Sequence, residues 1–563
     1  MFVAAANFKN GTDMFSLRSQ IGFVCGCFTR IMAGAALLLQ CATDISSTSP
    51  RKRGILKAVR SRVAGCIAPA LHSCRPPGNF ETEKVPLPAP FGGREPEPFR
   101  KGPAMKQATM TAEDRVRHLT EAPVEKLILE MSAPTIVSML VSSLYNMVDT
   151  MFVGRLDTQS TAAVGVAFSA MALLQAISFF FGHGSGNYIS RRLGARDYAA
   201  AEEMAATGFC AAVLCGCVLG TLGVLFIQPI SVLLGSTPTI LPYTIRYLRV
   251  IFIGAPFIMG SFVLNNQMRF QGNASVAMIG IVVGAVLNVA LDPLLIFGFG
   301  LGVAGAAWAT VISQFVSFVV LFVLNRRRAA IPVRLRRFSP KAEYFVGIFR
   351  GGVPSLCRQG VGSIAGVLLN VSAGMFGGVY ADAAIAAMGV VSRIAMFANS
   401  ALIGFGQGFQ PVCGTNYGAG KTLRVRRAFL FCVKLGGVTV AAVALLGFVF
   451  AAPLLRCFRD DPQVVAIGAV ALRAQCLSMV CNVWIILTNM MLQTIGRAGP
   501  ASVVAASRQG LFFIPAVFIL PQFWGLFGVQ IAQMVADLLS FALALPLGWH
   551  ELERFKWQDA DAT

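Results

Sequence analysis

From about residue 128 onward the chain repeats one pattern: an apolar run of some twenty residues, a short polar break, then another apolar run. Each run is long enough to cross a hydrocarbon core of roughly 30 Å as a helix. Inside a bilayer every backbone polar group needs an internal partner, which confines such a chain to bundled helices or a closed barrel, and runs of this length suit helices. Composition agrees, since 55% of the 563 residues are apolar and 13% are Asp, Glu, Lys or Arg, against about 25% charged in a soluble average. The expectation is an all-α polytopic membrane protein.

The formal charge of +21 invites a nucleic-acid reading. Outside the first hundred residues, however, most basic side chains sit in short connections between apolar runs, where charge sets membrane orientation. No nucleic-acid partner is expected. The fourteen cysteines include no Cys-x-x-Cys pair and have no nearby His at zinc-like spacing. Most lie in apolar helices, where a free Cys behaves as a small hydrophobe. The chain also lacks a Gly-rich loop ending in Lys-Ser/Thr, so it carries no ATP motor of that kind. Covalent chemistry is not called for, and neither an enzyme nor a cofactor is expected.

Residues 1 to about 104 differ in kind. "TSPRKRGILKAVRSR" and "RPPGNFETEKVPLPAPFGGREPEPFRKGP" have neither helical period nor enough apolar content to fold. The stretch "IGFVCGCFTRIMAGAALLLQ" carries Arg30 at its centre, making a poor signal peptide and a poor span. Scattered acids, among them Asp13, Asp44, Glu81 and Glu95, argue against a transit peptide. Residues 1–109 are read as a disordered or mis-set leader, with translation starting at Met105 or Met110.

Spans are expected near 128–153, 162–190, 204–227, 245–268, 276–298 and 302–325, with six more between about 346 and 549. That divides the chain into an amino-terminal lobe (110–325), a basic linker (326–345), a carboxy-terminal lobe (346–549) and a tail (550–563). Alternate connections carry "SRRLGAR", Arg269, "NRRRAAIPVRLRRFSPK", "GAGKTLRVRR" and Arg497. The other side has little Lys or Arg beyond Arg155 and the Arg456/Arg459 pair beside Asp460 and Asp461. The positive-inside rule then puts both termini in the cytoplasm.

The two sixes are related. A shift of 224 residues lays Asn146 on Asn370, Met151-Phe152 on Met375-Phe376, Gly154 on Gly378, Gly194-Ala195 on Gly418-Ala419, Asn265 on Asn489 and Gly272 on Gly496. Six spans per copy make both copies enter the membrane the same way, so a pseudo-two-fold axis along the membrane normal relates them, which is a transporter plan.

Within "LNVALDPLLIFGFG" stands a carboxylate, Asp292, amid membrane-like residues. A charge there costs roughly 2.5 to 3.5 kcal/mol on insertion scales and belongs in the bundle interior or a wet cavity. Asn288 lies one turn back on the same helical face, and Pro293 frees a backbone carbonyl a turn earlier. Together they offer hard oxygens, suited to a hard ion rather than a thiophilic metal. Asp292 is tolerable because a proton or an ion can cancel its charge. Asp149, with Asn146 one turn away, either joins the same cavity or caps a helix end. Arg358 and Arg393 fall within spans and either line the cavity or snorkel to an interface. Gln359, Asn370, Gln407 and Gln410 are either polar contacts for a substrate or interhelical glue.

The motifs "NMVDTMFVGRLDTQSTAAVGVA", "GHGSGNYISRRLGAR", "LNVALDPLLIFGFGLGVAGAAWATVISQ" and "GFGQGFQPVCGTNYGAGK" together resemble the multidrug and toxic compound extrusion family, over about residues 115 to 549. The resemblance implies twelve helices in two six-helix lobes around a central cavity, exporting cationic or amphipathic drugs or metabolites in exchange for protons or sodium ions. It also implies a cation-coupling site at Asp149, Asn288, Asp292 and Thr310, with any sodium held at Asp149, Asn288 and Asp292. A substrate cavity is expected to include Asn146, Gln359, Asn370, Arg393 and Gln407. The spans near 347–376 and 464–494 contain neither Asp nor Glu, which matches the branch whose coupling resides in the first lobe only. The alternative is a lipid-linked oligosaccharide flippase of the same superfamily, for which Arg358 and Arg393 are the best support. The expected setting is a bacterial inner membrane, in contact with its lipid and as a monomer.

Overall fold

In the computed structural model, residues 110–458 and 461–560 are described. The expected leader lies outside them, as do Arg459 and Asp460. The chain is helical: α1 (Ala112–Glu121), α2 (Val124–Val153), α3 (Thr158–Gly194), α4 (Tyr198–Leu225), the short α5 (Ile227–Leu233), α6 (Leu241–Phe270), α7 (Ala274–Pro293) and α8 (Val303–Arg328) precede the linker. After it come α9 (Ala342–Phe376), α10 (Ala381–Gly418), α11 (Thr422–Val449), the short α12 (Ala451–Arg456), α13 (Pro462–Ile495), α14 (Ala498–Ala506), α15 (Phe513–Trp524) and α16 (Leu526–Ala560). Twelve of these stretches are long and apolar enough to cross a membrane, α14 and α15 together making one.

Polar punctuation sets where helices begin. Asp157 caps α3 by accepting from the Ser160 amide, Asp197 caps α4 through the Ala200 amide at 3.1 Å, and Asp461 caps α13 through Gln463 at 2.9 Å. The last helix runs on to Ala560, through the segment expected to be a tail. There Trp549 donates to Glu553 one turn later, and Glu551 pairs with Arg497 at 3.2 Å.

The duplication is carried into geometry. Asn265 Nδ2 donates to the Ala277 carbonyl at 2.8 Å, and its repeat mate Asn489 donates to Ala501 at 2.7 Å. Gly302 before α8 has φ 55 and ψ −133, and Gly525 before α16 has φ 54 and ψ −136. That region of backbone space is essentially closed to side chains. Each lobe also has a π turn in its fifth span, but at unmatched positions: Leu294–Gly298 in one, and Ser507–Leu511, well before the corresponding point of the repeat, in the other.

The lobes meet towards the helix ends that carry the basic loops. At Gly194 an added Cβ would strike the Thr415 carbonyl, and at its mate Gly418 the Arg191 carbonyl, so α3 and α10 cross backbone to backbone. Nearby, Thr494 donates to Asn187 at 3.0 Å and Thr135 to the Gly404 carbonyl at 2.6 Å. A polar chain also spans the boundary. Arg269 Nη2 lies 3.0 Å from His183 Nε2, and His183 Nδ1 lies 2.9 Å from Ser355 Oγ, which Gln493 also reaches at 2.7 Å. A guanidinium can only donate, so Nε2 accepts and Nδ1 carries the hydrogen given to Ser355.

The linker is pinned to the first lobe. Gln271 exchanges two hydrogen bonds with Ile331, at 3.1 and 2.9 Å, and Asn325 accepts from the Val333 amide at 2.8 Å. Outside these, Lys341 pairs with Glu203 at 3.0 Å and Arg334 with Glu202 at 3.6 Å. Exposed pairs of that kind contribute about 0–1 kcal/mol each.

Candidate ion-coupling site

The site begins with the spacing of α7. Asn288 and Asp292, one turn apart, are both buried, and Asn288 Nδ2 donates to Asp292 Oδ1 at 3.3 Å. Asp292 Oδ2 and Asn288 Oδ1 are buried with no hydrogen-bond partner. Directly after them Pro293 supplies no N–H, leaving the Val289 carbonyl without its usual donor, and the chain winds into the π turn at Leu294. Such turns recur at functional sites. The loop folds back on the turn, with Leu301 donating to Leu295 at 3.2 Å and Gly305 packed on the Leu295 carbonyl.

Asp149 approaches from α2. It lies inside the helix, one turn before the end, while the cap of the next helix is Asp157, so the capping alternative does not apply. Its Oδ1 is buried and unpartnered, and α2 packs against α7, which brings it near Asp292. Close to both carboxyls lies Tyr247, a buried residue of α6 whose hydroxyl is 3.4 Å from Met171 Sδ. Tyr145 stands one turn before Asp149 on α2. Two acids, one amide oxygen and two phenols thus share a corner of the first lobe, with acceptor oxygens outnumbering donors. Such a corner suits a proton or a small hard cation.

Next to it is a pocket lined by Tyr145, Asn146, Gln175, Thr310 and Gln314 together with apolar residues such as Phe262. The structure thus joins Asn288 to Asp292, sets Asp149 within electrostatic reach, and places Thr310 and Asn146 on the adjoining pocket. The other expected cavity residues do not line that pocket: Asn370 and Arg393 are exposed, Gln407 is buried where α10 packs, and Gln359 is half-buried with Nε2 unpartnered. Arg358 lies 3.5 Å from Asn489 Oδ1. Sequence reasoning missed Tyr145 and Tyr247. Tyr145 is signalled by its one-turn spacing from Asp149, whereas Tyr247 has no local signal because only packing brings α6 to α7. The buried Asp537 and the half-buried Arg508, paired at 2.8 Å in the second lobe, were also missed.

Two pseudo-symmetric lobes of six spans, one holding unpaired buried acids, define the class as a two-lobe membrane transporter. The MatE family model matches residues 134–294 and again 361–519, once in each lobe, and the chain belongs to that family. The multidrug export protein MepA of Staphylococcus aureus (strain MSSA476) is 29% identical over 437 residues, covering 77% of this chain and 95% of that protein. MepA of Staphylococcus haemolyticus (strain JCSC1435) is 28% identical over the same length and shares. Among solved structures, an outward-facing conformation of a multidrug resistance MATE family transporter of the MOP superfamily matches with TM-score 0.75 and 27% identity, covering 80% of this chain and 99% of that one. A MOP superfamily transporter from Pyrococcus furiosus Vc1 (DSM3638), described as having a binding pocket of reverse polarity, matches with TM-score 0.74 and 28% identity over 78% of this chain and 98% of that one.

Proposed function

We propose that the protein exports cationic or amphipathic small molecules across a bacterial plasma membrane, with both termini cytoplasmic, by antiport with protons or sodium ions. The observation that carries this reading is the Asp292 carboxyl, buried on α7 with one oxygen unpartnered, with Asp149 on the helix α2 packed against it. A buried acid without a fixed counter-ion is costly in one state and relieved when a cation arrives. The export half of the reading is supported by the likeness to MepA, named a multidrug export protein.

In the cycle, a lipophilic cation enters between the lobes from the side of the basic loops. The lobes rock, the external ion neutralises Asp292 and Asp149, and the substrate's hold is lost. Ion entry down the membrane potential supplies roughly 2.3 kcal/mol per charge per 100 mV, enough to bias a two-state equilibrium strongly. The glycine crossing of α3 and α10 supports the rocking step, since it lets the lobes meet without interlocking side chains.

The test is ethidium efflux from proteoliposomes under sodium and pH gradients imposed separately. Efflux should accelerate under one of the two gradients. Indifference to both, with lipid-linked oligosaccharide crossing the bilayer instead, would overturn the reading in favour of a flippase.

A further inference from the structure

The carboxy-terminal lobe holds an acid of opposite character to Asp292. Asp537, on α16, is fully buried and accepts four hydrogen bonds. Arg508 Nε and Gln533 Nε2 each reach Oδ1 at 2.8 Å, while Ser478 Oγ and Asn482 Nδ2 each reach Oδ2 at 3.1 Å. Three of these four groups are nitrogen donors that cannot accept, so both carboxyl oxygens are saturated from α13, the π turn and α16. Arg508 itself sits in the π turn Ser507–Leu511.

The internal repeat says what this address is. The register that aligns Gly302 with Gly525 lays Thr310 on Gln533 and Gln314 on Asp537. In the first lobe Thr310 and Gln314 line the open pocket beside the acids. In the second lobe the matching place contains a carboxylate closed off by Arg508, whose counterpart in the same register is Ala285, without a charged group. The two lobes therefore differ in where the counter-charge comes from.

We propose that Arg508 is a tethered cation: its guanidinium fills, from within the chain, a second monovalent-cation site at Asp537, and so confines ion exchange to the first lobe. The proposal rests on the reading that Asp149 and Asp292 exchange a proton or sodium ion. It adds that the stoichiometry of exchange is held down by a residue that touches neither ion nor substrate. Removing the guanidinium leaves the Asp537 carboxylate among Ser478, Asn482 and Gln533, where a proton or a sodium ion from solution takes its place.

The full-length protein is purified in detergent as wild type, Arg508→Met and Arg508→Met/Asp537→Asn. Proton uptake across a pH step is measured by potentiometry, and sodium by equilibrium binding of radioactive sodium. Arg508→Met should bind one more exchangeable monovalent cation per molecule than either of the other two, and the two arms say whether it is a proton or sodium. Equal counts for all three variants in both arms, on monodisperse protein, would overturn the proposal. If Arg508→Met does not survive purification, its melting temperature is followed in native membranes. It should rise by several degrees with sodium or acid while the double variant stays flat, and a flat response in both would be equally fatal. The difference between the two variants persists even if Asp149 and Asp292 bind nothing, so failure of the coupling site and failure of this proposal read out separately.

Discussion

At the scale of single residues, the same chemical group serves opposite ends in the two lobes. Asp537 is surrounded by four donors, whereas Asp292 has one, the Asn288 amide. Withdrawing one partner of a buried polar group costs about 1–3 kcal/mol, and withdrawing both costs less. Asn288→Leu should therefore lower stability by roughly that amount in the wild type, and by distinctly less in an Asp292→Leu background. Thermal melts of the four variants in detergent measure the difference; strictly additive losses would mean that the two side chains do not act as a pair. Asn288 and Asp292 were legible in the sequence because one helical turn is a fixed distance. Tyr247 was not, because nothing in "IRYLRV" says which helix it will face. Asp537 stood in plain sight in "QMVADLL", but its four partners come from three separate segments, and only packing reveals that its charge is already met.

At the scale of elements, the backbone is shaped by where side chains are missing. Gly194 and Gly418 let α3 and α10 touch through their carbonyls, and Cys413 lies buried on α10 within this contact region. Gly194→Val would overpack the crossing at a cost of about 1–3 kcal/mol and disfavour closure on that side. Site-resolved maleimide labelling of Cys413 should become about tenfold faster, in line with 1.4 kcal/mol per tenfold; an unchanged rate in a folded variant would remove the crossing from the gate. The long helices were readable because length and apolarity are summed properties that no single residue can spoil. The short α5, which falls in the connection expected between 227 and 245, and α12 are too brief to show a period. The π turns were invisible for a related reason: Pro293 marks one of them, while Ser507–Leu511 carries no proline at all.

At the scale of the whole molecule, duplication followed by divergence accounts for the arrangement. The repeat preserves the scaffold, with Asn265 and Asn489 making the same bond within 0.1 Å and Gly302 and Gly525 the same turn within a few degrees. The acids differ between the halves, so a common scaffold carries two different electrostatic interiors. The linker does not float between lobes; its bonds to Gln271 and Asn325 make it part of the first. In the proposed cycle the lobe boundary opens at the basic side, where His183 parts from Ser355 while Gln493 stays with Ser355 in the second lobe. The central claim is that the first-lobe acids convert an ion gradient into export. Ethidium efflux from proteoliposomes carrying Asp149→Asn/Asp292→Asn tests it most directly. The gradient-driven rate should fall to that of protein-free vesicles while the variant still binds ethidium, and gradient-driven efflux at the wild-type rate would contradict the account.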